Sequence, residues 1–173
     1  ASWSSYLRAE AAGEVAEKAV WAARVEAHDH AGRYLPRLRA GARLSIETEP
    51  PGAEVLCQAV LRRGLIWSLG EATSLGRTPL IDVPLDPGSY HLRVRLDGRA
   101  AALLPLSLHR GGAWSTAAPL ALFEADALPP DCCYVPAGAF PCGGDPDAQD
   151  SPPRADVFVD GFVARVLPVT NAD

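Results

Sequence analysis

Thiols, imidazoles, a run of carboxylates and a row of guanidinium groups are the side chains here that could do chemistry. The thiols are Cys57, Cys132, Cys133 and Cys142. Zinc prefers paired thiolates at a short fixed spacing; no CxxC occurs, and Cys132 and Cys133 on an extended chain point to different sides. Four cysteines so irregularly placed do not make a disulfide framework, so reduced structural thiols in a cytoplasm are expected. A redox role would need a nearby cation to lower the thiol pKa, and only Arg154 and Arg165 stand near the last three in sequence. His28-Asp29-His30 invites a metal, yet positions i and i+2 of a helix face different ways, so a solvated helix end is the expectation. Asp145, Asp147 and Asp150 offer oxygens at near-alternate positions, as calcium loops do, but no full ligand series ending in Glu follows, and a solvated turn is expected. His91, Arg93 and Arg95 alternate along one strand face and could meet an acidic partner; an exposed polar face is also what a one-sided sheet shows. Trp67 is either a small-core anchor or an interface residue. No Gly-rich phosphate loop, Ser/His/Asp order or paired-carboxylate arrangement stands out. No catalytic, cofactor-binding or metal-ligating residue is therefore assigned.

These residues must be held by a chain of 173 residues with net charge −5, 15 Gly and 16 Pro. That length fits one domain or two small ones. The acidic balance and the absence of a Lys/Arg stripe interleaved with aromatics argue against nucleic acid. The apolar runs are far shorter than the ~20 residues of a membrane span, so none is expected. There is no methionine and the first residue is Ala1, so a processed or excised segment is expected; no signal-peptide pattern is seen.

Three zones follow from composition. Residues 1–40 are Ala-, Glu- and Arg-rich, and Leu7, Ala11, Val15, Ala22 and Val25 recur at helical spacing. One helix is predicted, capped by Ser4 or Ser5, ended by Gly32 and Pro36, and too shallow in its apolar stripe to form a core alone. Residues 41–125 switch to period two, best seen where Tyr90, Leu92, Val94 and Leu96 alternate with Ser89, His91, Arg93 and Arg95. Pro50-Pro51-Gly52, Thr78-Pro79, Asp86-Pro87-Gly88 and Asp97-Gly98 punctuate the runs, and Asp97-Gly98 predicts a hairpin. Short strands at such intervals predict a mainly β fold, an antiparallel β-sandwich with an N-terminal helix. Residues 130–173 carry two strand candidates around a Gly/Asp/Pro-rich loop and too few apolar residues for a core of their own.

The second zone resembles the PEGA domain, a small bacterial β-sandwich. Its Pro-Glu-Gly-Ala signature is matched by Pro50-Pro51-Gly52-Ala53, with Pro51 at the Glu position, its Gly-x-Thr-Pro-Leu mark by Gly76-Arg77-Thr78-Pro79-Leu80, and its Pro/Gly turn into a strand by Pro87-Gly88-Ser89-Tyr90. The stretch between Val55 and Gly76, with Arg62-Arg63-Gly64 and Trp67, is longer than the short hairpin usual in that family. The third zone resembles the opening of the formylglycine-generating (sulfatase-modifying factor) family. The matching run is Val135-Pro136-Ala137-Gly138-Ala139-Phe140-Pro141-Cys142-Gly143, then Val159-Asp160-Gly161-Phe162 and Pro168-Val169-Thr170-Asn171, with Cys142 in place of the usual Met.

The resemblance implies a bacterial architecture in which a serine/threonine kinase precedes a formylglycine-generating-type domain. His28-Asp29 and Gly32-Arg33-Tyr34-Leu35 before the sandwich also fit that group. It implies copper or iron in the complete oxidising domain, and ATP with magnesium in the kinase, but no cofactor and no catalytic position within these residues. The expected role is a non-catalytic regulatory or linker segment of a multidomain signalling protein whose partners are other domains of its own polypeptide, ending in a truncated α+β piece. A stand-alone β-sandwich that binds a protein or cell-surface ligand is the alternative. A cytoplasmic location is expected, or the envelope if the parent has a membrane span.

Overall fold

In the computed structural model the described residues are 2–12, 14–63, 66–144 and 148–167. Among them the protein is mainly β, with helices gathered at its N-terminal end. No described helix is long and apolar enough to cross a membrane.

The single helix predicted for the first zone is three: α1 (Ser2–Ala11), α2 (Val15–His28) and α3 (Leu35–Arg39). Because α1 ends before Val15, the predicted apolar stripe does not run through. Val25 is buried, but Leu7 and Val15 are exposed, and the inward residues of α1 are Tyr6 and Ala9. Ser4 and Ser5 lie inside α1 rather than capping it, and Pro36 stands in the first turn of α3, where its missing N–H costs nothing. Trp3 stacks on both Tyr6 and Tyr34, drawing the start of α1 onto the residue before α3.

The β-strands are β1 (Ala42–Ile46), β2 (Thr48–Glu49), β3 (Glu54–Arg63), β4 (Ile66–Leu69), β5 (Thr73–Arg77), β6 (Leu80–Leu85), β7 (Gly88–Arg95), β8 (Ala102–Leu108), β9 (Ala113–Ser115) and β10 (Leu120–Ala121), then β11 (Cys132–Val135), β12 (Gly138–Cys142), β13 (Ala155–Val159) and β14 (Phe162–Arg165). The largest sheet runs β14-β11-β8-β7-β3-β4, with β5 also on β3; β6-β1-β9 and β10-β2 form smaller ones, and β12 pairs β13. The predicted Asp97-Gly98 hairpin joins β7 to β8 in antiparallel register, with Leu92 opposite Leu104 and Gly98 at φ +75°.

The architecture departs from a purely antiparallel sandwich. β9 runs parallel to β1, β10 parallel to β2, and β11 parallel to β8, and the whole curls into a mixed half-barrel. Alternation in sequence tells which face a residue takes but carries no strand direction, so the parallel closures left no trace in the pattern.

One core fills the space between these strands. Leu44 and Ile46 of β1 meet Val55, Leu92, Val94, Leu104 and Leu106, and Leu120 and Leu122 complete it. Beyond Leu122 no described residue is fully buried. The C-terminal strands exist as hydrogen-bonded ribbons without a hydrophobic interior of their own.

Candidate functional site

The first two motif marks come together in space. Thr48 and Thr78 are both buried, and their hydroxyls lie 2.5 Å apart. The Thr48 hydroxyl also donates to the Pro50 carbonyl at 2.8 Å, and the Ala53 N–H donates to Thr78 Oγ1 at 3.0 Å. Each hydroxyl has one proton, so the direction is forced: Ala53 N–H to Thr78, Thr78 to Thr48, Thr48 to Pro50. Backbone bonds from Gly52 to the Thr78 carbonyl (3.0 Å) and from Thr78 to the Ala53 carbonyl (2.8 Å) close the clasp. Gly52 takes φ +91°, which lets the turn after Pro51 bring its N–H to Thr78. Pro79 follows, and Gly76 precedes at φ +115° opposite Val55. These residues hold the β2–β3 and β5–β6 turns to each other; they present no reactive group.

At the third mark, Gly88 opens β7 and the Tyr90 hydroxyl donates back to the Asp86 carbonyl at 2.7 Å. Burial first, then the Asp86 carboxylate and Cys57, push the phenol up to about 12. It remains a neutral strut.

The cysteines do not converge. Cys57 lies in the core, where burial raises its thiol pKa, whereas Cys132 and Cys133 sit in β11 and Cys142 ends β12; all four are free. No group of three His, Cys, Asp or Glu among the described residues could hold a metal ion. The His28–Asp29–His30 string has another job. The Asp29 carboxylate accepts the N–H groups of Arg33 (2.9 Å), Tyr34 (2.7 Å) and Leu35 (2.7 Å), filling the open donors at the start of α3. Desolvation opposes its ionisation, but these three donors and His30 outweigh it and hold the carboxyl below its ordinary range. The predicted helix end is therefore also a helix start, a role that Asp ahead of a Pro-led turn could have signalled.

Of the acidic loop, Asp150 is exposed, while Asp145 and Asp147 lie outside the described residues, as do Gly64 and the last motif's Pro168, Val169, Thr170 and Asn171. Val135 ends β11 with Pro136 just after it, and Gly138 and Phe140 belong to β12, with Phe140 opposite Val157. Gly143 combines φ +73° with a position where a Cβ would sit 2.4 Å from the Pro152 carbonyl, so only glycine fits. Asp160 and Phe162 flank Gly161 at the β13–β14 turn. Tyr134 of β11 makes an edge-to-face contact with Phe123 at 4.8 Å, which ties the ribbon to the half-barrel.

Sequence reasoning missed Arg110. From the turn between β8 and β9 its guanidinium reaches Glu10 and the Tyr6 hydroxyl of α1, and the carbonyls of Leu38 and Ala40 (2.8 Å) at the end of α3. A lone Arg in a His-Arg-Gly-Gly turn carries no sequence signal for such a contact.

On the outward face of β7, His91, Arg93 and Arg95 alternate with buried Leu92 and Val94, as predicted. The His91 Nδ1 is buried without a hydrogen-bond partner. Burial, then Arg93, lowers the His91 pKa, so the ring is neutral near pH 7.

No family model, curated protein or solved structure matches this chain.

Proposed function

We propose that the chain is a non-catalytic regulatory or linker segment of a multidomain bacterial signalling protein, its half-barrel β-unit PEGA-like and its last residues the opening of a formylglycine-generating-type domain. The observation that carries this reading is the burial profile. The core closes at Leu122, while Phe140, Phe158, Phe162, Val163, Val166 and Leu167 are exposed on ribbons with no buried residue. β11 and β14 only extend the edge of the large sheet, β12–β13 is a two-stranded ribbon that is marginal by itself, and this apolar surface is what further chain of the same polypeptide would cover. The motif residues supply turns and clasps, consistent with a structural role for the segment. The parent reads as a serine/threonine kinase joined to a formylglycine-generating-type domain, with cytoplasmic location following from that architecture. Sequencing the gene on both sides of these residues tests the reading directly: kinase motifs upstream and a complete downstream domain are expected, and a β-unit standing without either contradicts it.

A second reading, a stand-alone module for a protein or cell-surface ligand, is favoured by the β3–β4 ribbon. There Ile66, Trp67 and Leu69 are exposed on one short strand, a surface suited to recognition.

A further inference from the structure

We propose that the outward face of β7 and the hollows on its two sides form a docking groove for an extended peptide segment that carries a carboxylate next to a bulky apolar side chain. The groove shares Val166 with the surface that further chain would cover, and otherwise stands on the β-unit alone.

The floor is defined by register. Arg93 stands between Leu56 of β3 and Leu103 of β8, Arg95 lies opposite Glu54, and His91 lies between Gln58 and Pro105. Two guanidinium groups two residues apart on a strand emerge side by side, about 7 Å apart along the chain. Other arginines nearby are committed internally: Arg77 donates to the Gly52 carbonyl at 2.9 Å, and Arg99 pairs with Glu124 at 2.9 Å. Neither Arg93 nor Arg95 makes a side-chain hydrogen bond or an ion pair among the described residues. Their charge is directed outward.

The hollows differ in chemistry and meet at Ala101. One, of about 280 Å³, is walled by Arg77, Arg95, Asp97 and Arg99. The other, of about 400 Å³, has Arg93 at its edge and Leu103, Leu128, Pro129 and Val166 around it. A carboxylate suits the first, where Arg95 is available for a forked, charge-assisted pair. A Leu- or Phe-sized group suits the second. Glu54 and Asp97 border the polar hollow, so a densely charged polyanion would meet like charge there.

The test uses the full chain and a fluorescein-labelled peptide, Ser-Asp-Leu-Asp-Phe-Ser, in fluorescence anisotropy. Saturable binding is expected, weakened at least tenfold when both peptide Asp residues become Asn and in the Arg93→Ala and Arg95→Ala variants. Both arginines are exposed, so the variants should keep the parent's far-ultraviolet circular dichroism and melting curve. Trp67→Ala should bind like the parent, and amide shifts on peptide addition should fall at residues 91–95 and 101–103. Absence of binding at millimolar peptide, binding unchanged in both arginine variants, shifts centred on β4, or displacement by equimolar inorganic phosphate would each overturn the proposal.

Discussion

Arg110 and Glu10 stand 100 residues apart in sequence, and their side chains meet at 2.5 Å, both largely buried. The pair joins the N-terminal helices to the turn between β8 and β9. The same guanidinium caps the last carbonyls of α3, the end where a helix favours positive charge. Tyr6 donates to Glu10 at 2.9 Å, and burial, then that bond, push its phenol up to about 12.

Arg110→Ala leaves the Glu10 carboxylate without its cation and the α3 carbonyls without a donor. Removing one partner of a buried pair costs about 3–5 kcal/mol, and the lower end applies to this partly solvated site. Amide exchange should accelerate through α1 and α3 while β3, β7 and β8 stay protected. Uniform acceleration would mean that helices and half-barrel unfold together.

Thr78→Val keeps the shape of the side chain and removes the relay. The buried Ala53 N–H loses its acceptor and Thr48 its donor, a loss of about 1–3 kcal/mol in denaturant unfolding. Because Thr48 and Thr78 share one chain of hydrogen bonds, Thr48→Val combined with Thr78→Val should cost less than the sum of the two. Strict additivity would show that the hydroxyls act separately.

Much of the fold was legible. Leu92 and Val94 inward with Arg93 and Arg95 outward followed from period two, and Gly98 marked its hairpin through its positive φ. What stayed hidden was relational. Nothing in Trp114 or Ser115 says that β9 will lie parallel beside β1, and nothing in Arg110 names Glu10. The helix stripe failed because Leu7 and Val15 belong to different helices, and a periodicity summed across a break has no single face. The motif turns were visible as turns, but that the Gly52 and Ala53 backbone would bond to Thr78, with Thr48 extending the relay, is a pairing no local pattern shows.

Asp29 should make stability acid-sensitive. Its folded pKa lies below the unfolded value near 3.9, so the stabilisation is complete above the unfolded value and is lost as pH falls through the folded one. Asp29→Asn should flatten that part of the stability-versus-pH curve and speed exchange at the Arg33, Tyr34 and Leu35 amides. An unchanged acid limb in the variant would remove Asp29 from the account.

Thiol labelling should divide the cysteines. The buried Cys57, its pKa raised, should react with an aromatic disulfide reagent only on unfolding, while the partly exposed Cys132, Cys133 and Cys142 react in the native protein. Equal rates at all four would contradict the core placement of Cys57.

The proposed role also requires that the purified chain, with or without copper, turn over neither a kinase nor a cysteine-oxidation substrate. The most direct measurement of that role is hydrogen–deuterium exchange across 132–142 and 155–165, in this chain and in the longer gene product. Fast exchange here, with β3, β7 and β8 protected, and marked slowing in the longer polypeptide are expected. Protection of those ribbons already equal to that of β7 in this chain alone would contradict the account.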